Sequence, residues 1–268
     1  MHTNHFRPVS LRYPPLLGAA LVFALSLAGC GGKTTSPVKP VPLTLEASGV
    51  GGASQRFTTS ALAAPSATDT IPVTFTQALL VVRDVRFVLD DDADDTDTLG
   101  IGDAELEDGD GGQVRFRGPY VIDLLAGIAQ SLGTEMVPPG PYQRAQGHLR
   151  ALSGDDGPAS AYSSLIGSTV RLEGTIGGEG GGPFVYSARI DNEFMIRGDF
   201  TVLVETPATA FIVFDLTRFL TSREGQFLDP RIVDNDFLIK QAIRHAIKVG
   251  MDDDHNGEMD DALSQAEE

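Results

Sequence analysis

Residues 74–89 form a sixteen-residue run dense in valine, leucine and phenylalanine, and this run decides the fold class. Val81, Arg83, Val85, Phe87 and Leu89 alternate with Val82, Asp84, Arg86 and Val88. A period of two, with β-branched and aromatic side chains, favours strand over helix. Comparable runs lie at 114–122, 142–152, 169–176, 184–190, 194–205 and 209–216. The Gly-rich stretch 177–182 separates two of them as a hairpin, and Thr206-Pro207 separates a further expected pair. Pro138-Pro139-Gly140-Pro141 reads as a rigid turn. Seven or eight short strands, with turns every ten residues or so, predict a mainly β chain folded as an antiparallel β-sandwich over residues 43–230.

The tail changes period. Leu238, Ile239, Ala242, Ile243, Ala246 and Ile247 fall at helical spacing, which predicts an amphipathic helix over 236–249 within a tail of 231–268. Asp234 or Asp236 is the expected N-cap.

At the other end, Arg7 and Arg12 precede an apolar run of about a dozen residues from Leu16 to Leu27, where roughly twenty are needed to span a bilayer. A basic flank, a short apolar stretch and small residues ahead of a cut are the marks of a secretory signal peptide, here 1–29. The cut site Leu27-Ala28-Gly29-Cys30 resembles the lipobox of bacterial lipoproteins, and Cys30 is the only cysteine in the chain. The resemblance implies a lipid on Cys30 and an anchored protein of the bacterial cell envelope. By resemblance to the sorting rule of Gram-negative lipoproteins, Gly31 in place of aspartate implies the outer membrane. Residues 30–42, rich in Pro, Ser, Thr and Gly, read as a tether.

Without the signal peptide, 18 basic residues face 37 acidic ones, a charge of −19 with histidines neutral. Phosphate backbones repel such a surface, so no nucleic-acid partner is expected. One cysteine rules out an internal disulfide, so stability must come from the core and from any bound cation. With no tryptophan and five tyrosines, the chain is poor in platforms for neutral sugars or bases.

Three stretches together resemble bacterial lipoproteins built around the domain of unknown function 4382. They are Gly118-Pro119-Tyr120-Val121-Ile122-Asp123-Leu124-Leu125-Ala126-Gly127, Val137-Pro138-Pro139-Gly140-Pro141-Tyr142, and the tail helix running into an acidic Asp/Asn/Gly loop. The aspartate–alanine–proline opening usual in that family is absent, and Leu43-Thr44-Leu45-Glu46 offers no clear substitute. The resemblance implies an exported transthyretin-like or immunoglobulin-like sandwich and no known activity.

The strongest chemical signal is Asp252-Asp253-Asp254-His255-Asn256-Gly257-Glu258-Met259-Asp260. A calcium loop places oxygen ligands at positions one, three and five, glycine at six and a carbonyl at seven. Asp252, Asp254 and Asn256 fit the first three, Glu258 would lend its carbonyl, and Asp260 fits position nine. Leu263 stands at position twelve, where the bidentate acid belongs, so calcium should bind weakly. With the helix before it and a short exit helix over 261–267, the segment reads as an EF-hand-like acidic loop. A second acidic stretch, 90–112, carries eleven acids and no base and reads as a solvated loop.

No helical zinc pair and no nucleophile elbow is present. His148 and His245 read as exposed or satisfied side chains. The sequence therefore predicts a non-enzymatic binding or structural module with an unidentified protein or glycan partner. A carbohydrate-binding module is the alternative, and a carboxylate-dependent hydrolase ranks below it.

Overall fold

A computed structural model of the chain describes residues 39–59, 69–89, 113–252 and 259–263. Strands take 56% of these residues and helical turns 13%, so the protein is mainly β, with curled sheets. The spine is β3 (Asp69–Leu89), which contains the whole alternating run. Its residues pair with β8 (Val170–Ile176) along 73–80 and with β7 (Gly140–Leu149) along 82–89. They also pair with β2 (Ser54–Thr59), β5 (Tyr120–Asp123) and β4 (Gln113–Phe116). A strand has only two edges, and residues shared between ladders place β2, β5 and β4 together on the edge opposite β8 and β7. Outside these, β9 (Gly182–Ala188) pairs β8, and β10 (Asn192–Val202) pairs β7. The β8–β9 hairpin turns through the glycine run, as its composition implies.

The second sheet runs β13-β12-β11-β1-β6. Its members are β1 (Val41–Val50), β6 (Gln130–Val137), β11 (Ala208–Asp215), β12 (Ile247–Met251) and β13 (Asp261–Leu263). All its pairings are antiparallel except β1 with β11, which is parallel. The expected 194–205/209–216 pair is therefore corrected: β10 and β11 lie in different sheets, and the chain crosses between them at Thr206-Pro207.

The expected tether of 30–42 is corrected at its end: Val41 and Pro42 belong to β1, which lies between β11 and β6. Val41, Leu43, Leu45 and Ala47 alternate inward and are buried. Pro42 is tolerated because only β6 pairs with it there; the β11 ladder begins at Leu43. Pro72 sits in β3 on the same terms, paired with Arg56 before the β8 ladder starts at Val73.

Both sheets contribute to one core, from Leu43 and Leu45 through Phe87 and Phe116 to Ile212 and Phe214. Leu79 and Val81, on the other face of β3, form a second small cluster with Leu152, Ala159 and Leu165. The predicted tail helix is shorter than its pattern. It is α2 (Asp236–His245), buries Ile239 and Ile243, and stops where Ile247, Val249 and Met251 turn inward as strand β12 beside β11. Ala246 and Ile247 satisfy both periods, and the open edge of β11 decides between them. The N-cap is Asn235, with no side-chain capping bond, rather than Asp234 or Asp236. Asp236 instead pairs with Lys240 at 2.6 Å and accepts a hydrogen bond from the Tyr186 hydroxyl at 3.1 Å, tying α2 to β9.

The two resembling motifs act structurally. Asp123 Oδ1 accepts from the Leu125 amide at 3.0 Å to close the turn after β5. Tyr142, fully buried, donates to the Pro138 carbonyl at 2.8 Å and stacks on Phe200 with centroids 5.2 Å apart.

Burial holds the Tyr142 and Tyr186 hydroxyls above their ordinary value of 10.0, with Asp236 adding to the effect on Tyr186. The folded chain keeps these protons where the unfolded chain releases them. Their contribution to stability is thus present below pH 10.0 and is lost as pH rises beyond it. Urea midpoints should fall steeply above about pH 10 and fall less steeply in the Tyr142→Phe, Tyr186→Phe variant. An alkaline limb unchanged in that variant would contradict the assignment.

Candidate functional site

Of the expected calcium ligands, Asp252 and Asp260 are described, whereas Asp254, Asn256 and Glu258 lie outside the described residues. Cys30, the signal peptide and the acidic stretch 90–112 also lie outside them. The element after the loop is corrected: β12 precedes it and strand β13, not an exit helix, follows it at Asp261–Leu263. The segment therefore spans a β-hairpin rather than a helix–loop–helix. Pairing of Met251 with Asp261 brings loop positions one and nine to one mouth. The Asp260 amide donates to the Met251 carbonyl at 3.0 Å, and the Asp252 amide donates to the Thr209 carbonyl at 3.0 Å. Asp252 is buried and Asp260 exposed. Carboxylates are the kind of donor a hard cation uses, and the ladder brings these two acidic positions to neighbouring strands. Among the described residues no three His, Cys, Asp or Glu side chains gather into a metal-binding group.

The sheet order fixes where this mouth sits. Leu43 lies beside Ala208, and Ala210 lies beside Met251. Asp252 and Asp260 therefore stand at the end of the sheet where β1 begins. The short helix α1 (Leu216–Phe219) and α2 lie at the other end, beyond Val50 and Asp215.

A second region had no local signature in the sequence. A cleft of about 570 Å³ is lined by Arg83 of β3, Arg150 just after β7 and Arg189 just after β9, with residues 151–154, Asp156 and Ile166-Gly167 as its walls. Arg83 Nη2 lies 2.6 Å from Asp156 Oδ2 and 3.2 Å from the Ala151 carbonyl, donating to both. Asp156 Oδ2 also accepts from the Ser153 amide at 2.6 Å. Arg189 lies 3.6 Å from Asp191, both side chains well exposed. Arg150 is exposed.

The two histidines among the described residues have simple surroundings. His148 is 3.7 Å from Glu193, and His245 Nε2 is 2.9 Å from Arg223, all at the surface. The glycine run 177–182 leads into β9, with no helix behind it to cradle phosphate. Among the described residues no helix is long and apolar enough to cross a membrane. Compared with family models, with curated proteins and with solved structures, the chain matches none of them.

Proposed function

We propose that this protein is a lipoprotein of the bacterial cell envelope whose β-sandwich body is a non-enzymatic binding or structural module. The observation that carries the proposal is Cys30, the lone cysteine, standing directly after Leu27-Ala28-Gly29 behind a short apolar run. The likeness to lipoproteins with the domain of unknown function 4382 supports the same reading. Several acyl chains, at about 0.8 kcal/mol per buried methylene, would hold the body permanently, and Gly31 favours the outer membrane. Cys30→Ala should abolish labelling by a fatty-acid analogue and move the protein out of the membrane fraction. Persistent labelling would refute the anchor.

Calcium is part of the proposal. Asp252 and Asp260 stand at the end of the sheet where β1 begins, so a cation held between them would order the end of the body nearest the proposed anchor. Adding calcium should raise the thermal midpoint, by about 2.7 kcal/mol of stabilisation once free calcium is a hundredfold above its dissociation constant. An Asp252→Ala, Asp254→Ala variant should lose the response. An equal response in that variant would remove the loop as the site.

A further inference from the structure

We propose that the arginine cleft is a binding site for an oxyanion, the carboxylate or phosphate of a small polar ligand. Three arginines and one acid, Asp156, line it, an excess of two positive charges on a chain whose net charge is −17. Two of those arginines have charge to spare. Arg150 makes no hydrogen bond or ion pair among the described residues, and Arg189 has only a loose, solvent-exposed contact with Asp191. Arg83 is committed: it holds Asp156 and the Ala151 carbonyl, and Asp156 holds Ser153. Arg83 is thus a positioning residue, while Arg150 and Arg189 are the donors a ligand would meet. Paired guanidinium groups are the side chains best matched to carboxylate and phosphate oxygens.

The cleft is built on a rigid base. Leu152 is buried in the second core cluster against Leu79 and Val81. Its amide donates to the Ser168 carbonyl at 3.0 Å, and its carbonyl accepts from the Gly167 amide at 2.8 Å. Walls held this way fix the backbone beside Arg150 before a ligand arrives, so only side chains need to be ordered on binding. The volume of about 570 Å³ falls within the range of roughly 300–1,000 Å³ usual for small-molecule sites. No aromatic residue lines it, so it offers no stacking face for a neutral sugar. The inference deepens the binding-module reading and is independent of the lipid on Cys30.

The test is calorimetric titration of the purified full-length protein in detergent, at low ionic strength, with D-galacturonate, inorganic phosphate and D-galactose. One of the two anions should bind, galactose should not, and the identity of the binding anion separates carboxylate from phosphate. A charged hydrogen bond contributes about 1.5–3 kcal/mol, so Arg150→Gln, Arg189→Gln should weaken binding about tenfold or more. The charge-matched pair Arg56→Gln, Arg197→Gln, exposed on β2 and β10 outside the cleft, should leave it within about twofold. Failure of both anions to bind, equal loss in the two variants, or equal binding of galactose would each overturn the proposal. Binding by the Cys30→Ala protein should match that of the lipidated form, which separates this site from the anchor.

Discussion

Tyr142→Ala should destabilise the folded body by about 3–5 kcal/mol, the usual cost of deleting a large buried aromatic ring. The site cannot collapse easily. Tyr142 is fully buried, its ring lies nearly parallel to Phe200 at 7°, and Phe200 in turn packs edge-on against Phe87 of the spine strand. Removing the ring leaves a cavity between β7, β10 and β3, three strands of one sheet. Tyr142→Phe keeps the ring and removes only the bond to the Pro138 carbonyl, so it should cost about 1–2 kcal/mol. For a body of this size each kcal/mol moves the thermal midpoint by about 2–4 °C, so the alanine variant should melt about 6–20 °C below the parent. Urea unfolding of the two variants side by side checks the order. Equal, small effects would mean that the ring is not part of the core.

Gly174→Ala should be nearly as damaging for the opposite reason. A Cβ added at Gly174 would stand 2.2 Å from the Thr74 carbonyl oxygen and 3.0 Å from the Phe184 ring. The obstruction is backbone, at the point where the β3–β8 register shifts between Phe75 and Gln77, so relief requires the two strands to part. A cost of about 2–3 kcal/mol is expected, toward the upper end of overpacking. At Gly154 an added Cβ meets nothing within 4 Å, and Gly154→Ala should change stability by less than about 0.5 kcal/mol. Matched losses at the two positions would show that the close approach at Gly174 is absent.

These two sites mark what local sequence can and cannot reveal. The spine strand was legible from its β-branched and aromatic density, although Ala78 to Val82 are all buried and a register shift puts Val82, not Val81, in the main core with Val85 and Phe87. The β8–β9 hairpin was legible because its glycines interrupt two apolar runs. The first strand was not, because Pro40 and Pro42 resemble a tether; only the pairing pattern shows that Pro42 has one neighbour and can stay. The run 246–251 carries both periods, and the edge of β11 chooses strand, an influence from residues more than thirty positions away. Strands β10 and β11 look like a hairpin because they are consecutive, yet their ladders lie in separate sheets.

The candidate sites divide in the same way. Asp252 and Asp260 stand out in the sequence because their spacing matches a cation loop; the structure flanks them with strands β12 and β13 where the sequence implies helices. Arg83, Arg150 and Arg189 were invisible because nothing in the sequence relates them; the ends of β7 and β9 bring two of them to Arg83 of β3. A cleft assembled from three strands leaves no linear signature.

The central claim is that this body is carried on a lipid. Its most direct test is mass spectrometry of the mature N-terminal peptide, isolated from bacterial membranes after expression of the complete chain. A lipid-anchored protein should yield a peptide that begins at Cys30 and carries the mass of a thioether-linked diacylglyceryl group. A mature protein that begins elsewhere, or one whose Cys30 is unmodified, would contradict the claim.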